Sequence, residues 1–173
     1  MSGNNRSISV RQLTLTALFA ALVTVATMVI QVPTFATQGY INVGDTMIFV
    51  AAGLMGPRTG LIAGGLGSAL ADLLSGYAQW APWTLIIKGL EGLLVGLIAH
   101  RAYRSKGVLS PIVIPTMVVA ALWMVFGYYI GGGVMKGFAV SATEIPGNLI
   151  QGIGSVILAT PLLAILGKLD LTK

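Results

Sequence analysis

Six apolar stretches, nearly free of charge and separated by short segments holding proline, glycine or basic residues, take up most of this chain. They run from about Leu13 to Gln31, Val43 to Met55, Thr59 to Leu74, Trp83 to His100, Ile112 to Ile130 and Ile145 to Leu166. A helix needs about 20 apolar residues to cross a bilayer, and most of these stretches approach that length. A water-soluble alternative fails on composition. Of the 173 residues, 55% are hydrophobic and 9% charged, whereas a soluble domain carries about a quarter charged residues to solvate its surface. No segment repeats another and no linker interrupts the series. Residues 1–173 therefore read as one all-α integral membrane domain, with six transmembrane helices in a single compact bundle.

The breakers place the connections. Pro33 to Tyr40 reads as a polar loop, Gly56-Pro57-Arg58 as a tight turn, and Ser75 to Pro82 as a loop with aromatic residues at the interface. Pro146 falls in the first turn of the last helix, where a missing N–H costs little. The first stretch follows Arg6 and Arg11 but is longer than a signal-peptide core, so it reads as a retained helix. The second stretch is short for a full span. A re-entrant hairpin of stretches two and three would leave Arg58 in hydrocarbon, at a cost of about 2.5–3.5 kcal/mol, so a complete crossing is preferred.

Charge supplies an orientation. Arg6, Arg11, Arg58, Arg101, Arg104, Lys106, Lys168 and Lys173 fall at one side of the expected bundle, whereas the opposite loops hold only Lys136. The excess of basic residues marks the cytoplasmic side, which puts both termini there. The net charge of +5 is thus explained by orientation and gives no reason to expect nucleic acid. The absence of Cys excludes disulfides, thiolate metal sites and a cysteine nucleophile. No HExxH or GxxxxGK[ST] pattern is present. The chain is expected to be neither an enzyme nor a metalloprotein, and if its work needs ATP, another chain must supply the nucleotide site.

Polar residues inside the spans are costly there and usually face a cavity. Lys88 and Glu91 share a face of the fourth helix, and Glu144, Asn148 and Gln151 form an i, i+4, i+7 stripe on the sixth. Asp72 comes near the outer end of the third helix and Asp45 opens the second on the same side. Tyr77, Trp80 and Trp83 adjoin them. Each has a plainer role available: mutual neutralisation for Lys88 and Glu91, interhelical hydrogen bonding for Asn148 and Gln151, an interfacial aromatic belt for Trp80 and Trp83, helix capping for Asp45 and Asp72. Their convergence in the outer half of the bilayer points to a pocket for a small molecule. A second pattern is small residues: Gly60, Gly64, Ser68 and Asp72 four apart on helix three, Gly89, Gly92 and Gly96 on helix four, and Ala17-x-x-x-Ala21 on helix one. Such ladders let helices approach closely.

The run Ala71-Asp72-Leu73-Leu74-Ser75-Gly76-Tyr77, followed by Trp80-Ala81-Pro82 and Leu85-Ile86-Ile87-Lys88-Gly89-Leu90-Glu91-Gly92, resembles the substrate-binding (S) components of energy-coupling factor (ECF) vitamin transporters. Tyr40-Ile41-Asn42-Val43-Gly44-Asp45 is similar too. Among those, it is closest to the hydroxymethylpyrimidine, pyridoxine and riboflavin types. The resemblance implies a multi-pass subunit of a bacterial-type plasma membrane, with a vitamin site near the outer surface closed by the loop after helix one. It also implies docking through Ala17 and Ala21 onto a transmembrane coupling subunit, joined by two cytoplasmic ATPases. The expected ligand is a pyrimidine or pyridine heterocycle, held by Asp72, Trp80, Trp83, Lys88, Glu91, Asn148 and Gln151. The alternatives are a riboflavin-binding S component or a stand-alone secondary transporter of a small heterocycle, although the latter class commonly shows internal repeats.

Overall fold

The computed structural model describes residues 9–168; Arg6 and Lys173, two of the basic residues counted for orientation, lie outside them. Helix α1 spans Val10–Val29, and a hairpin of β1 (Gln31–Thr34) and β2 (Gly39–Asn42) follows it. Then come α2 (Gly44–Met55), α3 (Pro57–Leu74), α4 (Ala81–Lys106), α5 (Val113–Lys136), the single-turn α6 (Phe138–Ala142) and α7 (Ile145–Leu166). Prolines start α3, α4 and α7 in their first turns, where no intrahelical N–H is due. Gly56, at φ +88°, makes the abrupt α2–α3 turn, a conformation that residues with a Cβ avoid.

One segment differs from expectation. Residues 33–40, read as a polar loop, belong instead to an antiparallel hairpin whose register pairs Gln31 with Asn42 and Thr34 with Gly39. Pro33 argues against a strand because it lacks an N–H. In a two-stranded ribbon, however, each strand has an open edge, where a residue without an N–H is tolerated. Helix α4 also extends past the expected 83–100 at both ends, because Pro82 is accommodated in its first turn and Gly107 is the residue that closes it.

The polarity of the molecule is reversed relative to a soluble protein. Leu97, Ile150 and Ile157 are each more than 60% exposed, whereas Asp45, Lys88 and Glu91 are at most 1% exposed. An outer surface of this kind suits lipid and an interior of this kind suits a polar site. Among the described residues, four segments are long and apolar enough to cross a membrane: α1, α4, α5 and the Phe138–Leu166 stretch. Helix α2 has 12 residues, 10 of them buried, and is surrounded by α1, α3, α4 and α7. At 1.5 Å per residue it is only about 18 Å long; its neighbours, not lipid, cover it.

Helices α3 and α4 pack along their small residues. A Cβ at Gly64 would lie 2.5 Å from the carbonyl oxygen of Lys88, so only glycine permits this approach. Thr16 and Thr59 share a hydrogen bond of 2.9 Å between α1 and α3, and Thr24 donates to the Gly67 carbonyl at 2.8 Å. At the end away from the hairpin, Tyr103 donates to the Leu163 carbonyl and His100 Nδ1 meets the Gly53 carbonyl, both at 2.8 Å. These contacts fix α4 against α2 and α7, and so fix where Lys88 points.

Candidate functional site

Beneath the hairpin lies a cavity of about 540 Å³, part of it open to solvent. Its walls come from almost every element: Thr27 of α1, Tyr40 and Asn42 of β2, Ser68 and Asp72 of α3, Thr84 and Lys88 of α4, Tyr128 of α5, Ser141 of α6, and Asn148 of α7. Spacing explains the lining. Ser68 and Asp72 are four apart on α3, and Thr84 and Lys88 are four apart on α4, so each pair lies one turn apart on one face.

The floor is a buried charge cluster. The Lys88 ammonium donates to Asp45 Oδ1 and stands 3.3 Å from Glu91 Oε2. Gln151 Nε2 donates to the other Asp45 oxygen at 3.0 Å, and Gln151 Oε1 accepts the Asn42 backbone N–H at 2.8 Å. One ammonium is thereby held by residues from α2 and α4, with α7 bracing the arrangement. An ammonium has three N–H bonds, and Lys88 also borders the cavity, with its Nζ 5.5 Å from the Tyr128 ring centre. That geometry suits a cation–π contact.

The hairpin forms the opposite wall. Tyr40 donates to Asp72 Oδ1 at 2.5 Å and stacks at a tilt on Tyr77, with ring centres 4.6 Å apart. Burial, and then the Asp72 carboxylate, holds the Tyr40 phenol well above its ordinary pKa, so it remains a donor. Gln38, at φ +54°, forms the hairpin's attachment. Its carbonyl accepts from Trp80 Nε1 at 3.1 Å and Gln79 Nε2 at 3.2 Å, and its side chain accepts from Lys136 Nζ at 3.1 Å.

Of the residues singled out in the sequence, Asp72, Trp80, Lys88 and Asn148 line the cavity together. Glu91 and Gln151 stand behind the wall, against Lys88 and Asp45. Trp83 faces elsewhere and packs on Gly131 of α5. Ala17 and Ala21 are exposed on α1. Glu144, which heads the polar stripe of the last helix, lines the cavity too, as do Tyr40, Tyr128 and Thr84, which are not among the expected ligand contacts. A tyrosine pair, Tyr128-Tyr129, in an otherwise apolar helix was the signal available for one of them.

The cavity therefore offers an ammonium, hydroxyls and an amide as donors, carboxylates as acceptors, and aromatic walls. Among the described residues, no three His, Cys, Asp or Glu side chains come together to hold a metal ion. The arrangement is suited to holding a small polar ring.

The chain resembles known proteins along nearly its whole length. The family described as ECF-type riboflavin transporter, S component, matches residues 7–168. An uncharacterized protein of Pyrococcus woesei is 41% identical over 148 residues, 84% of this chain and 95% of that one. The thiamine precursor transporter HmpT of Lactococcus lactis subsp. cremoris is 30% identical over 152 residues, 87% of this chain and 84% of that one. In three dimensions, the crystal structure of the S component for biotin from an ECF-type ABC transporter superposes with a TM-score of 0.65. That match covers 100% of this chain and 96% of the other, at 20% identity, and concerns the fold alone.

Proposed function

Because the chain belongs to the family of ECF-type riboflavin transporter S components, a family of multi-pass membrane transporter subunits and not of enzymes, we propose that it is the substrate-binding subunit of an ATP-driven vitamin importer. Its ligand, in this reading, is a small pyrimidine or pyridine such as hydroxymethylpyrimidine or pyridoxine. The observation that carries the reading is the cavity under the hairpin, which the Trp80 and Tyr128 rings line together with Lys88, a donor, and Asp72, an acceptor. The likeness to a thiamine precursor transporter supports a single-ring ligand. The family's description favours riboflavin as the second reading. Titration calorimetry with the purified chain in detergent decides between them. Hydroxymethylpyrimidine should bind with a Kd of about 1 μM or tighter, near −8 kcal/mol. Saturable binding of riboflavin with no response to either single-ring compound would sink the first reading.

In this reading all six longer helices cross the membrane, the hairpin end faces outward and both termini face the cytoplasm. The basic residues Arg58, Arg101, Arg104, Lys106 and Lys168 at the opposite end support that orientation. Transport would need a transmembrane coupling subunit and two ATPases carrying ATP and magnesium. Ala17 and Ala21 suit the docking surface, because α1 turns Thr16, Phe19 and Val23 into the bundle and leaves these two alanines exposed. Ala17→Trp should abolish co-purification with the coupling module and stop uptake, while ligand affinity of the isolated chain stays unchanged. Uptake at the wild-type rate in that variant would show that docking lies elsewhere.

A further inference from the structure

The two carboxylate oxygens of Asp72 are unequally used. Oδ1 accepts the Tyr40 hydroxyl at 2.5 Å. Oδ2 is buried and has no hydrogen-bond partner, in a residue that is 3% exposed and borders the cavity. The hydroxyl of Thr84, its neighbour, shares a hydrogen bond of 3.1 Å with the Tyr128 hydroxyl in which either can be the donor; turned toward Asp72 it fills only one of the two acceptor sites of a carboxylate oxygen. A buried carboxylate oxygen left without a donor is costly, and what enters the cavity beside it must bring an N–H or O–H. Glu144, the other carboxylate in the lining, is only partly buried and can be solvated without a ligand.

Resting on the reading of the ligand as a pyrimidine, we infer that Asp72 determines its specificity: Oδ2 accepts from the exocyclic amino group of an aminopyrimidine and rejects the 4-oxo counterpart. In the oxo compound a carbonyl oxygen would face the carboxylate oxygen, leaving two acceptors opposed and no proton between them. A site built to hydrogen-bond a particular group discriminates strongly against analogues that lack it. Tyr40 sharpens the choice. By holding Oδ1 it fixes the plane of the carboxyl group, so Oδ2 cannot swing away from an unsuitable partner. Ligand and hairpin are thus held by opposite oxygens of one side chain.

The test uses the purified full chain and two probes, 4-amino-5-hydroxymethyl-2-methylpyrimidine and its 4-oxo counterpart, titrated against wild type and Asp72→Asn. Wild type should bind the amino compound at least about tenfold more tightly. In the variant, the amide oxygen can keep the Tyr40 bond while the amide N–H2 takes the place of Oδ2. The amino compound should then weaken roughly 10- to 100-fold and the oxo compound should bind as well or better, reversing the preference. Asp72 acting only on the fold would weaken both probes alike, which overturns the inference. An unchanged preference, or a reversal produced by Glu144→Gln instead, overturns it too. If Asp72→Asn does not fold, Asp72→Ser replaces it, because a hydroxyl both donates and accepts and should flatten the preference. Wild type that binds riboflavin and neither pyrimidine overturns the ligand reading and this inference together. Wild type that binds the amino compound with no preference dependent on residue 72 overturns the inference alone.

Discussion

Lys88→Met should lower the melting temperature in detergent more than any other single change at the site. The side chain is 1% exposed, and it faces Asp45 and Glu91, each fully buried. Methionine fills similar space and removes the cation. Two carboxylates would then share a dry interior with no counter-charge. Removing one member of a buried pair costs about 3–5 kcal/mol, which for a chain of this size corresponds to roughly 6–20 °C. The cause can be separated from loss of packing. Combining Lys88→Met with Asp45→Asn and Glu91→Gln removes the charges with the shapes kept, and most of the lost stability should return. Ligand affinity should not return, because Lys88 also borders the cavity. A single variant that melts with the wild type would show that the cluster is not held by charge.

Gly64→Leu is expected to be comparably severe for a different reason. The Lys88 carbonyl stands where a side chain at 64 would begin, and Ile48 Cγ2 lies 3.2 Å from the same point. Neither is a flexible tip that can swing aside; one is helix backbone and the other is the branch methyl of Ile48, which is itself fully buried. Overpacking an adaptable core costs about 1–3 kcal/mol. Here the α3 and α4 backbones must separate, so the loss should exceed that range and carry ligand binding with it. Gly64→Ala should fall between wild type and leucine in thermal stability. A leucine variant with unaltered melting and affinity would contradict the packing described.

Much of the fold is legible in the order of apolar stretches because a bilayer leaves little choice: a run of leucine, isoleucine and valine between breakers becomes a helix. The hairpin was less legible. Each of its strands has four residues, too few for alternation to stand out, and Pro33 weakens the signal further. At the site, depth was legible and facing was not. Lys88 and Asn148, which both line the cavity, stand out because polar residues in apolar helices are conspicuous. Asp45 looked like an ordinary residue of a helix's first turn, which it is, and only the folded chain brings Lys88 and Gln151 to it. Trp80 and Trp83 are close in sequence, yet Trp80 borders the cavity and Trp83 packs on Gly131. Tyr40 is close to Asp72 only because the hairpin folds back, across 32 residues of chain.

The fastening of the hairpin has a consequence for which residues can vary. Two of the three contacts at Gln38 go to its backbone carbonyl and only one goes to its side chain. What aims that carbonyl is the left-handed twist of the chain at this residue, a conformation that asparagine and glycine adopt readily and β-branched residues resist. The entrance is therefore secured mostly by a shape of the main chain, with one side-chain contact beside it. A replacement that tolerates the twist should keep the two carbonyl contacts and lose only the one to Lys136.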